Sequence, residues 1–111
     1  MRAIWVLAAL GLAGCTQATN NSSTLGGLPA EAIYSLDVRN SVATVTFKQG
    51  GLACVGTANT RGIGLGESRP MAFACNDGRT GAGTYTVTKI AMNEVTFTLE
   101  DGTVGQSTIG A

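Results

Sequence analysis

Hydrophobic and polar residues alternate along most of the chain after residue 36, which is typical of half-buried β-strands. Within one such stretch, Val45 and Phe47 are expected on one face and Thr44 and Thr46 on the other. The same alternation begins at Leu36 and predicts further strands over 52–58, 71–75, 83–90, 95–99 and 104–109. No segment has the period of an amphipathic helix. The pattern therefore predicts an all-β domain.

Polar and glycine-containing segments separate these stretches. Asp77-Gly78 and Asp101-Gly102 each stand between two alternating runs. An Asp-Gly pair in that position favours a tight hairpin with a type I′ turn, in which both central residues have positive φ. The run Arg61–Gly66 has a glycine at every second position, but it lacks the spacing of a phosphate-binding loop and no helical stretch follows it. We interpret it as a flexible hairpin loop.

The second half of the chain contains an internal repeat. The segment FACNDGRTGAGTY, which starts at Phe73, aligns with FTLEDGTVGQSTI, which starts at Phe97, at a shift of 24 residues. A weaker third copy starts at Phe47. Each unit reads as strand, turn, strand, and consecutive hairpins without an intervening helix form antiparallel sheets. The sequence therefore predicts a small antiparallel meander or barrel built from repeated hairpins.

The first fifteen residues have a different pattern. Arg2 precedes ten residues, 3–12, without a charge, which fits the ~7–15 apolar residues of a signal peptide and falls short of the ~20 of a membrane-spanning helix. The motif Leu12-Ala13-Gly14-Cys15 then resembles the lipobox of bacterial lipoproteins. That resemblance implies that residues 1–14 are a lipoprotein signal peptide and that Cys15 is the lipidation site, with palmitate among its acyl chains. An ordinary cleaved signal peptide, or a buried apolar segment, is the alternative.

Residues 15–32 are expected to comprise the lipidated cysteine and a flexible linker, followed by a β-domain over residues 33–111. The linker prediction rests on the segment Thr16–Pro29, which is polar and lacks periodicity. Lipid attachment would place the protein in the cell envelope, facing the periplasm or the cell surface. Thr16 follows the cysteine where inner-membrane lipoproteins of enteric bacteria typically have Asp, so the resemblance favours the outer membrane.

With Cys15 assigned to lipid, Cys54 and Cys75 remain. In an exported chain they are expected to form one disulfide. They flank the glycine-rich loop almost symmetrically and would lie on neighbouring strands, so we expect a buried cross-strand bridge. Closing a loop of about 22 residues would stabilise the fold by roughly 3 kcal/mol on a chain-entropy estimate.

Composition and charge narrow the class of function. The chain contains no histidine, which is the commonest general base and the commonest zinc ligand. We therefore expect no enzyme, no catalytic residues and no cofactor. The part after Cys15 has six basic and seven acidic residues without a run of like charge. A nucleic-acid partner is therefore not expected.

Few side chains stand out as candidate sites. Asp77 and Asp101 occupy equivalent turns, where turn chemistry explains them better than a calcium site does; no metal site is expected. Arg61, Arg69 and Arg79 are candidates for surface binding, and we expect them near one end of the sheet. Solvated surface charge is the simpler interpretation of these arginines.

Two elements around the cysteines carry a second resemblance. Cys54-Val55-Gly56 and the segment Cys75–Gly81 (CNDGRTG) resemble a group of small bacterial lipoproteins of uncharacterised function. The segment Gly81–Tyr85 is more distantly similar to MORN-type hairpin repeats, although the period and the aromatic content depart from that pattern. Neither resemblance implies a particular chemistry.

We therefore expect a membrane-anchored envelope lipoprotein with a non-enzymatic structural or binding role. Its expected partners are the membrane, through the N-terminal lipid, and an envelope protein or glycan. The alternative is a small inhibitor of an envelope-directed hydrolase, similar to lysozyme-inhibitor lipoproteins, which also use a disulfide-clipped β-barrel. Their inhibitory Ser-x-Gly-type loop is not evident in this chain.

Overall fold

The computed structural model describes residues 16–19, 22–89 and 92–110. Ten strands form one antiparallel sheet: β1 (Thr16–Thr19), β2 (Ser22–Leu25), β3 (Leu28–Pro29), β4 (Glu31–Asp37), β5 (Val42–Gln49), β6 (Leu52–Asn59), β7 (Ser68–Cys75), β8 (Thr80–Lys89), β9 (Met92–Leu99) and β10 (Val104–Gly110). Strands β4 to β10 are neighbours in chain order. The predicted all-β meander of hairpins is confirmed. Over the described ranges, no helix is long and apolar enough to cross a membrane.

The N-terminal strands curve this sheet into a nearly closed barrel. Strand β1 pairs with β4 at one edge of the meander, and β2 pairs with β10 at the other. Thr19 and Ser22 are only three residues apart, so their Cα atoms lie within about 11 Å of each other. Strand β3 continues through Ala30 directly into β4. The two edges of the meander are therefore joined twice by very short connections.

This arrangement corrects the predicted flexible linker. The segment Ser22–Leu25 is a strand, Leu25 is 1 % exposed, and the Ser23 hydroxyl donates to that of Ser107 inside the barrel. The β-domain begins by Thr16, and the predicted boundary at residue 33 falls within β4. A polar strand of four residues resembles a linker because its pairing partners lie about eighty residues away. Cys15 and the signal segment lie outside the described residues.

Three phenylalanines form the centre of the core. Phe73 and Phe97 stack with ring centroids 3.9 Å apart, and Phe47 meets Phe97 edge-on at 4.9 Å. Across each of the two repeated hairpins the phenylalanine faces a glycine: Phe73 pairs with Gly81, and Phe97 pairs with Gly105. The internal repeat therefore encodes one buried ring and one opposing glycine in each of these hairpins.

The predicted disulfide between Cys54 and Cys75 is confirmed. The two cysteines are direct register partners on β6 and β7, and both are buried. These strands pair over only four residues each, and the bridge lies at one end of that short ladder. Asn76 reinforces the same junction, because its side chain accepts from the Ala53 amide and donates to the Gly51 carbonyl. The disulfide thus joins the two neighbouring strands with the least backbone pairing in the meander.

The Asp-Gly turns differ from the predicted type I′ turn. Gly78 donates its amide to the Cys75 carbonyl and has a φ of 95°. Gly102 makes the equivalent bond to Leu99 at a φ of 92°. Only the glycine of each pair has positive φ, whereas a type I′ turn requires it at both central residues. The expectation of a hairpin at each pair was correct, and the expected turn type was wrong.

The barrel has two ends, which we name by their relation to Thr16. Thr16 pairs with Leu36 near the end of β4, so the described chain begins at the proximal end. That end also holds the turn Val38–Ser41, the loop Thr60–Glu67 and the last residues of β8. The distal end holds the turns Gly26–Gly27, Gly50–Gly51, 76–79 and 100–103.

Candidate functional surfaces

The glycine-rich segment forms part of the loop that covers the proximal end. Ile63 is half-buried against the core, and Gly66 donates to the Val87 carbonyl at 2.7 Å. Thr60 donates to the Ser41 carbonyl at 2.8 Å, which ties the loop to the neighbouring turn. The prediction of a loop is confirmed, and these bonds hold it at both sides. The loop caps the barrel where β6 and β7 no longer pair.

Two of the three candidate arginines lie together in this loop region. The Arg69 guanidinium donates to the Arg61 carbonyl at 2.9 Å and lies 3.8 Å from a Glu67 carboxylate oxygen. Arg69 is half-buried, whereas the Arg61 side chain is exposed. Arg69 therefore holds the loop in position, and Arg61 remains available to a ligand.

Arg79 lies at the distal end, so the expectation that all three arginines share one end is wrong. Arg69 is near the start of β7 and Arg79 follows its end, which separates the two by the length of the strand. The Arg79 guanidinium contacts the Asp77 carboxylate at 2.8 Å and the Asp101 carboxylate at 2.9 Å. It therefore joins the turns of both repeated hairpins.

The two aspartates are engaged in their turns, as predicted from the repeat. Asp77 accepts from the Arg79 amide and Asp101 from the Thr103 amide. The Arg79 side chain lowers the pKa of Asp77 below its ordinary value. The Thr103 amide, together with the Thr103 hydroxyl and Arg79, lowers the pKa of Asp101 to about 2. Both carboxylates consequently stay ionised and bound to Arg79, which supports a structural role for this cluster.

Four exposed residues at the proximal end were not among the predicted candidate sites. Val38 is 71 % exposed and Leu65 is 61 % exposed, so two large apolar side chains face solvent there. Arg39 and Lys89 are exposed at the same end of the barrel. The sequence signal that could have indicated this surface is an apolar side chain next to a cation in a turn, as in Val38-Arg39. Alternation counted from Leu36 would instead place Val38 on the inward face of a strand.

The barrel wall between the two ends is free of charge. Its outward side chains on β6 to β9 are uncharged and exposed, and all except Val55 are small or hydroxylated: Val55, Thr57, Ala72, Ala74, Ala82, Thr84, Thr96 and Thr98. Charged side chains of the described part of the chain lie towards the two ends of the strands or in the turns. An uncharged wall of this kind can contact another uncharged surface without desolvating ions.

Side chains, including two tyrosines, occupy the barrel interior. The hydroxyls of Tyr34 and Tyr85 are 3.0 Å apart and share a hydrogen bond, and both residues are buried. Burial raises the pKa of Tyr85 above its ordinary value. Within the described ranges, no three histidine, cysteine or carboxylate side chains are grouped so that they could hold a metal ion.

Comparison of the chain with models of known protein families, with curated proteins and with solved structures gives no match. The surfaces described above are therefore the basis for a functional proposal.

Proposed function

We propose that this protein is a lipid-anchored lipoprotein of the bacterial cell envelope with a non-enzymatic structural or binding role. The lipobox-like motif ending at Cys15 provides the anchor, and outer-membrane sorting follows from Thr16. The Cys54–Cys75 disulfide is the observation that supports the proposal most strongly, because structural disulfides are typical of exported domains and rare in the cytosol.

The position of β1 defines how such an anchor would hold the barrel. Strand β1 starts at Thr16, one residue after the proposed lipidated cysteine. The barrel would then stand directly at the membrane on its proximal end, without a flexible spacer. Its wall and distal end would face the envelope space, where an envelope protein or glycan could be bound. The uncharged, hydroxyl-rich wall suits either partner.

The inhibitor alternative is less compatible with this arrangement. An inhibitor must insert an exposed loop into the cleft of its target enzyme. The longest connection between consecutive strands of the described chain is the loop Thr60–Glu67, and it lies at the proximal end. Lipid attachment one residue before β1 would hold that loop close to the membrane and away from a soluble hydrolase.

The anchor is tested with Cys15→Ser, using Thr16→Ser as a matched control. Wild type and the control are expected in the membrane fraction, with an intact mass that matches cleavage before Cys15 and acylation. Cys15→Ser is expected to lose the acyl mass and membrane retention. A wild-type protein without acyl chains would overturn the proposed anchor.

The binding role is tested by photo-crosslinking in whole cells. A benzoylphenylalanine placed at Thr84, on the wall, is expected to yield a discrete adduct identifiable by mass spectrometry. The same group at Val38, at the proximal end, is the control for non-specific capture. Failure of Thr84 and of a second wall position, Thr96, to give any adduct absent from the control would overturn the binding role.

A further inference from the structure

The proximal end of the barrel differs from the distal end in its charge. Its charged side chains are four cations and three carboxylates: Arg39, Arg61, Arg69, Lys89, Asp37, Glu67 and Glu94. The distal end has two cations and four carboxylates: Lys48, Arg79, Glu31, Asp77, Glu100 and Asp101. The barrel is therefore polarised along its axis, with the positive end where the described chain begins.

The cations of the two ends also differ in their availability. At the distal end the Arg79 guanidinium is held between Asp77 and Asp101, which leaves Lys48 as the one exposed cation there without an ion pair among the described residues. At the proximal end Arg39, Arg61 and Lys89 are exposed, and no ion pair is found for them within the described part of the chain. The Asp37 carboxylate accepts hydrogen bonds from the Asn40 amide and side chain in the turn. Three cations thus remain free to meet an external anion.

Exposed apolar side chains accompany these cations. Val38 and Leu65 project from two different connections, the turn Val38–Ser41 and the loop Thr60–Glu67. The loop is tied to the core by Ile63 and to β8 by two backbone bonds with Val87. Leu65 therefore projects from a loop that is held in place by the core and by β8.

We infer that the proximal end is a membrane-contacting surface that binds anionic phospholipid through Val38, Leu65 and the three free cations. This inference rests on the proposed lipidation of Cys15, because an anchor there brings this end to the bilayer. Apolar side chains enter the boundary between headgroups and acyl chains, and cations at the same level bind anionic headgroups. The lipid anchor already holds the protein at the bilayer, so the contact is effectively intramolecular. A small patch is therefore enough to orient the barrel on the membrane. The barrel then stands upright and presents its acidic distal end to the envelope space.

Tryptophan substitutions test the orientation in the complete lipidated protein. The sole tryptophan, Trp5, lies in the segment expected to be removed, so the wild-type protein is the blank. Val38→Trp and Leu65→Trp report on the proximal end. Leu28→Trp is the matched distal control, because Leu28 is 64 % exposed. Each protein is placed in vesicles of phosphatidylglycerol and phosphatidylethanolamine that have bromine atoms near the headgroup end of the acyl chains.

Both proximal tryptophans are expected to show blue-shifted emission and quenching by bromine of about twofold or more, as for aromatic residues at a membrane interface. Leu28→Trp is expected to emit as in water. Replacing Arg39, Arg61 and Lys89 by Gln in Val38→Trp is expected to weaken quenching, whereas Lys48→Gln is expected to have no effect. An acylated protein with equal quenching at both ends, or with none, would overturn the orientation alone. An unacylated mass would overturn the anchor as well.

Discussion

The ring of Phe97 lies over Gly105, its register partner on the neighbouring strand, so closely that a β-carbon at position 105 would overlap it. Gly81 of the other repeated hairpin is constrained by backbone instead, because a β-carbon there would meet the carbonyl oxygen of Thr98 on β9. The ring of Phe73 lies over Gly56 of β6. Small residues opposite large rings allow a narrow barrel to be filled at native density. The pairing of a glycine with the ring that lies over it, Gly105 with Phe97 and Gly56 with Phe73, is thus a packing rule of this barrel.

The first prediction concerns these glycines. Gly105→Ala is expected to lower the free energy of unfolding by about 1–3 kcal/mol, because an added methyl group overpacks the core. Gly81→Ala should cost more, since backbone cannot move aside as a ring can. Gly51→Ala is the control, because a β-carbon there has no neighbour within 4 Å. Urea denaturation measures all three, and equal stability of Gly105→Ala and Gly51→Ala would contradict the packing rule.

Much of this architecture follows from local pattern. Alternation such as Val45 and Phe47 against Thr44 and Thr46 predicts strands, because successive side chains point to opposite faces of a sheet. The Asp-Gly pairs predict where the chain reverses. Closure of the sheet could not be predicted in this way, since Ser23 and Leu25 pair with β10, which lies far along the chain. Four residues of alternation are too few to distinguish a strand from a polar linker.

The second prediction concerns the seam of the barrel, where β2 pairs with β10. The Gln49 side-chain amide lies within hydrogen-bonding distance of three carbonyl oxygens of the β2–β3 hairpin, those of Leu25 (3.0 Å), Leu28 (3.3 Å) and Pro29 (3.1 Å). Gln49→Ala leaves these acceptors without that donor, so the free energy of unfolding is expected to fall by about 1–2 kcal/mol.

The matched control for the seam is Gln106→Ala, because Gln106 is exposed on the outer wall of β10. Amide hydrogen exchange in β2 should accelerate in Gln49→Ala and remain unchanged in Gln106→Ala. If β2 exchanges at the wild-type rate in both variants, Gln49 does not hold the seam.

The third prediction concerns the disulfide. Reducing Cys54–Cys75 releases a loop whose ends are 21 residues apart, which is expected to lower the free energy of unfolding by roughly 3 kcal/mol. The measurement is urea unfolding of Cys15→Ser with and without reductant, because that variant has no unpaired thiol to exchange. An unchanged midpoint on reduction would mean that the short β6–β7 ladder holds without the bridge.

The site residues were less predictable than the strands. Arg79 contacts Asp101 over a separation of 22 residues, and this contact depends on the two hairpins being adjacent in the sheet. The repeat indicated that Asp77 and Asp101 are equivalent, but only one repeat unit carries the arginine. Exposure of Val38 was hidden because alternation does not show where a strand gives way to a turn. Leu65 lies in the predicted loop Arg61–Gly66, but nothing in the local pattern indicated that this end of the barrel carries a second exposed apolar side chain.

The fourth prediction concerns acid stability. The pKa of Asp101 is lowered from its ordinary value of 3.8 to about 2, first by the Thr103 amide, then by the Thr103 hydroxyl and Arg79. The unfolded chain therefore binds more protons than the folded protein between pH about 4 and about 2. The stabilisation is complete above that window and is lost as the pH falls through it.

Melting temperatures measured by circular dichroism from pH 7 to pH 2 test this. Asp101→Asn retains an acceptor for the Thr103 amide but cannot lose charge in acid. Its melting temperature at neutral pH should be lower than that of wild type, and its decline below pH about 4 should be shallower. Glu94→Gln removes an exposed carboxylate of the proximal end for which the described chain shows no ion pair, and it should keep the wild-type decline. If Asp101→Asn loses stability in acid as steeply as wild type, ionisation of the Asp101 carboxylate does not contribute to folding stability.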